Sequence, residues 1–172
     1  MRRALFLDRD GVINLDTGYI GHIDEVVFVE GIFEMVRRFR EAGYLIIIVT
    51  NQSGIARGLF TLEDFETLMA WMRQTFEAHH ATIDAVYMCP HHPDITGPCS
   101  CRKPAPGMLI DAQKAWDIDM SQSIMVGDSP RDIEAAQKAG VGHQFLLHPS
   151  ATSTLANGGI IRQLHDLQVP HA

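Results

Sequence analysis

Short apolar runs alternate with longer amphipathic segments along most of the chain. Five of the apolar runs predict buried strands, because almost no polar position interrupts them. They are residues 4–7, 45–49, 85–88, 124–126 and 144–147.

Four longer segments carry apolar residues at the three- and four-residue spacing of a helix that is buried on one side. They are residues 31–42, 61–79, 108–116 and 130–139, with a weaker helical pattern at 160–167. Thr61, followed three residues later by Asp64, is typical of a capping box at a helix start. Gly43 and Gly140 follow two of these segments and are typical helix stops.

Strands that alternate with helices predict an α/β fold, with a mostly parallel central sheet covered by helices on both faces. The chain has 172 residues, the length of one hydrophobic core, so we expect a single domain over residues 1–172. The segments after the first and second predicted strands are too short to fold separately. We therefore expect no large cap domain.

Acidic side chains outnumber basic ones. The 14 Lys and Arg residues and 21 Asp and Glu residues give a formal net charge of -7 with neutral His. Such a surface repels polynucleotides and anionic lipids, so neither a nucleic acid nor a membrane is an expected partner. Apolar runs are all shorter than the roughly 20 residues of a membrane span, and the apolar start is too short for a signal peptide. We expect a cytoplasmic monomer.

Acidic and hydroxyl side chains follow three of the predicted strands. Asp8 and Asp10 come after the first strand, Thr50 after the second and Asp128 after the fourth. Parallel strands end at the same edge of a sheet, where ligands bind, so we expect these side chains to converge. Crowded carboxylates repel one another unless a cation neutralises them, and oxygen ligands favour Mg²⁺. The sequence therefore predicts a magnesium site.

Four motifs, in this order along the chain, resemble those of the haloacid dehalogenase superfamily. They are Asp8-Arg9-Asp10-Gly11, Thr50, Lys103 within Arg102-Lys103-Pro104, and Gly127-Asp128 with Asp132. The resemblance covers residues 4 to about 147. It implies a three-layer, Rossmann-like fold and a magnesium-dependent phosphatase.

The resemblance also implies a role for each motif residue. Asp8 would attack phosphorus and form an aspartyl-phosphate, and Asp10 would protonate the leaving group and then activate water. Asp8, the backbone carbonyl of Asp10 and Asp128 would hold Mg²⁺. Thr50 and Lys103 would bind the transferring phosphoryl group.

Three more residues are candidates for substrate binding. Asn51 would offer its backbone amide to the phosphoryl group, and Arg102 would hold the second phosphate of a bisphosphate sugar. Arg57 is either a second such cation or a solvated loop residue. For Asp132 the alternatives are a support of the metal through water and a solvated position in the first turn of a helix.

All three cysteines lie in residues 89–101, which we call the cysteine loop. Cys89, Cys99 and Cys101, together with His91, have the spacing of a tetrahedral zinc site, with His92 as the alternative nitrogen ligand. Four protein ligands leave no position for water, so we expect a structural zinc. Since Arg102 and Lys103 directly follow this loop, the zinc would also orient the cations that grip phosphate.

The cysteine loop narrows the resemblance to a small group of phosphatases that act on heptose bisphosphates or on histidinol phosphate. The stretches 51–58, 89–93 and 102–108 are similar to the heptose members. This similarity implies removal of the 7-phosphate of D-glycero-D-manno-heptose 1,7-bisphosphate, in heptose and lipopolysaccharide precursor synthesis. The expected partner is thus a small phosphorylated sugar.

Three alternatives remain at this point. The short spacing from Cys89 to Cys99 is closer to the histidinol-phosphate group, and Ser129 stands where many heptose enzymes have a cation. A phospho-aspartate receiver would also bind Mg²⁺ but would signal without turnover. The pair Asp8 and Asp10, which supplies an acid and base beside the nucleophile, favours the enzyme. The third alternative is a zinc-dependent module that binds nucleic acid. The negative net charge of the chain argues against it.

Overall fold

The structure, a computed structural model, describes residues 1–150 and 158–171. Its six strands form one sheet of order β3-β2-β1-β4-β5-β6, in which every neighbouring pair is parallel. The strands are β1 (Ala4–Leu7), β2 (Leu45–Asn51), β3 (Ala85–Cys89), β4 (Ile124–Gly127), β5 (His143–Leu147) and β6 (Gly158–Ile161). The predicted α/β fold with a parallel sheet is confirmed. Residues 151–157 and 172 of the expected domain lie outside the described residues.

The described residues also contain five α-helices. They are α1 (Ile32–Glu41), α2 (Leu62–Ala78), α3 (Pro93–Thr96), α4 (Gly107–Trp116) and α5 (Pro130–Lys138). Four of them match the predicted helices, whereas α3 is a single turn inside the cysteine loop and is too short to show a periodic pattern. No helix in the described ranges is both long enough and apolar enough to cross a bilayer.

Successive strand residues point to opposite faces of the sheet and build two cores. On β1, Leu5 and Leu7 belong to the core that includes α1 and α2. Ala4 and Phe6 belong to the core that includes α4 and α5. All four side chains are fully buried. The helices therefore cover both faces of the sheet, as the alternating pattern predicts.

The C-terminal segment differs from the sequence prediction. The helical pattern at 160–167 is wrong, because the chain forms β6 and then a 3-10 turn at Leu164–Asp166. β6 pairs with the free edge of β5. Pairing there satisfies backbone groups on both strands, while Ile161 and Leu164 still become buried.

The segments that precede α1 and α2 remain short loops. Residues 8–31 contain a single 3-10 turn, and residues 52–61 contain no helix or strand. The ring of Phe60 packs so closely on Gly21 and Gly54 that a Cβ at either glycine would overlap it. These two loops are thus tied together beside the sheet edge, and neither forms a cap domain.

Helix α2 begins with the predicted capping box. The backbone amide of Asp64 donates to Thr61 Oγ1 at 3.0 Å, and the backbone amide of Thr61 donates to Asp64 Oδ2 at 2.8 Å. These hydrogen bonds lower the pKa of Asp64 below its ordinary value. A carboxylate with a lowered pKa stabilises the fold when it is ionised. This contribution is therefore complete at neutral pH and is lost as the pH falls through the lowered pKa.

Replacing the cap residue tests this start of α2. Thr61→Ala is expected to lower the free energy of unfolding by about 1 kcal/mol at pH 7, because the amide of Asp64 loses its acceptor. Thr61→Ser keeps the hydroxyl and is expected to stay close to the parent protein. Urea denaturation measures both, and an equal loss in the two variants would contradict a role for the hydroxyl.

Candidate active site

The carboxyl ends of β1, β2 and β4 meet at one edge of the sheet, where a cavity of about 500 Å³ opens. This volume is in the range of small-molecule binding sites. The predicted site residues that line the cavity are Asp8, Asp10, Asn51, Arg57, Arg102, Lys103 and Asp128. Thr50 is fully buried near the end of β2.

The ammonium group of Lys103 lies at the centre of the acidic cluster. Lys103 Nζ donates to Asp8 Oδ1 at 2.9 Å and to the carbonyl oxygen of Val49 at 2.8 Å, and it lies 2.6 Å from Asp132 Oδ1. Burial alone would lower the pKa of Lys103, but the charges of Asp8 and Asp132 outweigh it and raise the pKa above its ordinary value. The side chain therefore remains a cation although only 3% of it is exposed.

Three carboxyl groups lie close together at this edge of the sheet. Oxygens of Asp8, Asp128 and Asp132 lie within 4.8 Å of one another. Burial raises the pKa of Asp8 well above its ordinary value, and the neighbouring carboxylates add to the rise against the attraction of Lys103. Burial and the charge of Asp132 likewise raise the pKa of Asp128. Carboxyl groups this close repel one another when they are ionised, and their oxygen donors fit a magnesium ion, which would neutralise them.

A glycine makes the approach of these carboxylates possible. Gly11 adopts a φ of +91°, and a Cβ at this position would overlap the carboxylate of Asp128. Only glycine combines this backbone conformation with the absence of a side chain. The turn after β1 can therefore lie directly against the loop after β4.

Asp10 is held by three side chains that the sequence analysis missed. Arg9, which is fully buried, donates to Asp10 Oδ1 through Nε at 3.1 Å and Nη2 at 3.0 Å. Asn14 Nδ2 donates to the same oxygen at 3.0 Å, and Gln52 Nε2 donates to Asp10 Oδ2 at 3.0 Å. Gln52 Nε2 also donates to Thr50 Oγ1 at 2.8 Å. These contacts fix the orientation of Asp10 relative to Thr50.

Asn51 connects the end of β2 to the backbone of Lys103. Asn51 Nδ2 donates to the carbonyl oxygen of Lys103 at 3.1 Å, and the amide of Lys103 donates to Asn51 Oδ1 at 3.0 Å. The sequence analysis assigned Asn51 a backbone contact to phosphate. The side chain of Asn51 also holds the backbone of Lys103 in place through these two hydrogen bonds.

Asp132 is buried, so the alternative of a solvated helix residue is wrong. Its side chain is 3% exposed, and its Oδ2 accepts the backbone amides of Asp128 at 3.2 Å and Ser129 at 3.1 Å. Its Oδ1 pairs with Lys103. Asp132 therefore caps α5 and positions the ammonium group at the same time.

Cys89, His91, Cys99 and Cys101 form a second cluster, in the cysteine loop. Their candidate ligand atoms all lie within 4.8 Å of one another, and His91 Nδ1 is 3.3 Å from Cys101 Sγ. Burial opposes ionisation of Cys99, but backbone hydrogen bonds from Arg102 and Cys101 lower the pKa of its thiol to about 6. Three sulfurs and one nitrogen at this spacing fit a tetrahedral zinc ion.

The structure separates His91 from His92. His91 lies in the cysteine cluster, whereas His92 lines the cavity and approaches Arg57, with His92 Nε2 and Arg57 Nη2 3.0 Å apart. Arg102 Nη1 donates to the carbonyl oxygen of His91 at 3.3 Å. Both predicted arginines thus stand in the cavity wall beside the cysteine loop.

Two curated relatives match most of this chain. A Yersinia pestis protein named D-glycero-beta-D-manno-heptose-1,7-bisphosphate 7-phosphatase is 42% identical over 173 residues, which cover 95% of this chain and 92% of the relative. An Escherichia coli K12 protein of the same name is 46% identical over 149 residues, covering 84% of this chain and 78% of the relative.

A solved structure has the same architecture. The D,D-heptose 1,7-bisphosphate phosphatase from B. bronchiseptica, complexed with magnesium and phosphate, superposes with a TM-score of 0.85 at 32% identity and covers 94% of this chain and 93% of that one. The family model of haloacid dehalogenase-like hydrolases matches residues 3–140. The chain, with its paired aspartates after β1 and its buried lysine, therefore belongs to the haloacid dehalogenase-like hydrolases.

Proposed function

We propose that the protein is a magnesium-dependent phosphomonoesterase that removes the 7-phosphate of D-glycero-D-manno-heptose 1,7-bisphosphate, in heptose and lipopolysaccharide precursor synthesis. The observation that carries the phosphatase activity is the meeting of Asp8, Lys103 and Asp128 at one sheet edge. The substrate is supported by relatives of that name at 42% and 46% identity.

Charged groups of the site would hold the transferring phosphoryl group. Asp8, Asp128 and the backbone carbonyl of Asp10 would bind Mg²⁺, which supplies positive charge to the phosphoryl oxygens when it is bound. Lys103 would offset further negative charge from the opposite side. The hydroxyl of Thr50 and the backbone amide of Asn51 would donate hydrogen bonds to the same oxygens.

The reaction would proceed in two displacements. In the first, a carboxylate oxygen of Asp8 attacks phosphorus, the bond from phosphorus to the sugar oxygen breaks, and Asp10 gives that oxygen a proton. In the second, Asp10 takes a proton from water, whose oxygen attacks the aspartyl-phosphate and releases inorganic phosphate with a free Asp8. Arg9 and Gln52 would keep the Asp10 carboxylate in place between the two steps.

The cysteine loop would bind a structural zinc ion through Cys89, His91, Cys99 and Cys101. A closed set of four ligands supports this role, because it leaves no position for a reacting water. In zinc peptides such binding contributes roughly 10 to 16 kcal/mol of apparent folding free energy. Here that energy would order the polar segment that leads into Lys103.

The walls of the cavity suit a small sugar with two phosphates. Arg57 and Arg102 line it and would offer positive charge to a second phosphate. In the described part of the chain, the segments after β1 and β2 are loops and do not fold into a cap over the opening.

A substrate panel tests the assignment. With Mg²⁺ present, we expect the highest kcat/KM for the β anomer of the heptose bisphosphate, and lower values for the α anomer and for histidinol phosphate. A preference for histidinol phosphate would contradict the proposed substrate. Failure to turn over any phosphomonoester would instead point to a receiver-like protein that stops at the phosphorylated aspartate.

Two amide substitutions test the proposed roles of the paired aspartates. Asp8→Asn is expected to abolish turnover, because an amide oxygen does not form the acyl phosphate. Asp10→Asn is expected to retain substrate binding but lose about 10² to 10⁴ in kcat, the usual contribution of acid and base catalysis. Asp111→Asn, the same change at an exposed site on α4, serves as the control. A normal kcat for Asp8→Asn would refute the proposed nucleophile.

Metal analysis tests the zinc site. We expect about one zinc per chain, and Cys101→Ser is expected to lower the zinc content, the thermal midpoint and kcat together, because the loop that positions Lys103 loses its ligand set. Ser100→Ala, at the neighbouring position, is the matched control. A zinc-free parent protein with full activity and an ordered cysteine loop would contradict the proposed zinc site.

A further inference from the structure

His92 lies in the cavity wall although its neighbour His91 lies in the cysteine cluster. Only 14% of its side chain is exposed. Its backbone is anchored at the start of α3, since the His92 amide donates to Thr96 Oγ1 and that hydroxyl donates to the His92 carbonyl, both at 3.0 Å. The backbone that carries the ring is therefore held in place, and the ring lies beside Arg57.

A hydrogen-bond donor lies next to each of the two ring nitrogens of His92. The backbone amide of Asp94 donates to His92 Nδ1 at 3.2 Å. A neutral imidazole has one acceptor nitrogen, so the proton then resides on Nε2. Arg57 Nη2 lies 3.0 Å from that same Nε2, and guanidinium nitrogens only donate. In this tautomer the two nitrogens are both donors and lack an acceptor between them.

An anionic oxygen beside His92 Nε2 and Arg57 Nη2 would accept from both groups. Among the described residues, no carboxylate lies within 4.0 Å of the Arg57 guanidinium. The carboxylate of Asp94 is 88% exposed and lies on the Nδ1 side of the ring, at 3.9 Å. The oxygens of a phosphate monoester have the charge and the several lone pairs that such a donor pair requires.

The position of this donor pair suits the far end of a substrate. His92 and Arg57 line the same cavity of about 500 Å³ as Asp8, but they take no part in the acidic cluster. The ring of Tyr19 lies 5.5 Å from the Arg57 guanidinium and limits its freedom from the other side. A phosphate held here would belong to the part of the substrate that is not transferred.

We propose that His92 is a specificity-determining residue, which acts with Arg57 to bind the non-transferred phosphate of a bisphosphate substrate. The inference rests on the proposed function, because it requires a substrate with two phosphates. It adds an imidazole N–H donor to the cations of the cavity wall, and this donor makes the enzyme prefer bisphosphates over monophosphates.

Kinetics with two substrates test the role of His92. The heptose bisphosphate carries the second phosphate, and p-nitrophenyl phosphate lacks it. His92→Ala is expected to lower kcat/KM for the bisphosphate about 10- to 100-fold more than for p-nitrophenyl phosphate, mainly through KM, as for other hydrogen bonds to charged groups. His92→Gln keeps an N–H donor and is expected to recover part of this loss. His165→Ala, at an exposed histidine, is the matched control.

A second measurement separates binding from turnover. Calorimetric titration of the bisphosphate into Asp8→Asn, with and without His92→Ala, is expected to show the same factor in Kd. Unchanged kcat/KM values for both substrates would overturn the proposal. An equal fold loss in kcat/KM for both would also overturn it, because it would assign His92 a structural role in the cysteine loop. Failure of the proposed function is recognised separately, in a parent protein that does not prefer the bisphosphate.

Discussion

The site depends on one buried ammonium group held between carboxylates from two different parts of the chain. Lys103 follows the cysteine loop, Asp8 directly follows the first strand and Asp132 lies in α5, yet the Lys103 ammonium lies 2.9 Å from Asp8 and 2.6 Å from Asp132. Removing one member of such a buried network typically costs about 3 to 5 kcal/mol, because the remaining charge has no partner. The sheet edge, the start of α5 and the segment after the cysteine loop must therefore assemble as one unit.

The convergence of Asp8 and Asp128 could be predicted from the sequence because it follows from strand geometry alone. Each residue ends or directly follows a strongly apolar strand, and parallel strands bring their carboxyl ends to one edge. The cluster of candidate metal ligands in the cysteine loop could be predicted as well, because only a few residue types at restricted spacings can surround a metal. In both cases the signal is local and the long-range contact comes from a general rule.

No such rule predicts the hydrogen bonds from Arg9 and Gln52 to Asp10. In an extended strand Arg9 would point away from its neighbours on either side, but the turn at Gly11, with its φ of +91°, ends that alternation. Its guanidinium can then bond the adjacent Asp10. Strand β6 was missed for a related reason, because a few apolar residues fit a strand and a turn as well as a short helix, and only the free edge of β5 decides between them.

The two ends of the cysteine loop are fastened to the rest of the protein, and its middle is not. The amide of Gln52 donates to the Cys89 carbonyl at 2.7 Å, and the amide of Gly107 donates to the Ser100 carbonyl at 3.0 Å. Residues 93–98 between these points are mostly exposed, and Pro93–Thr96 form the single turn α3. An insertion or deletion within residues 93–98 would therefore leave both fastened ends and the hydrolytic residues in place, which makes this stretch the part of the cysteine loop whose length can change at the least cost.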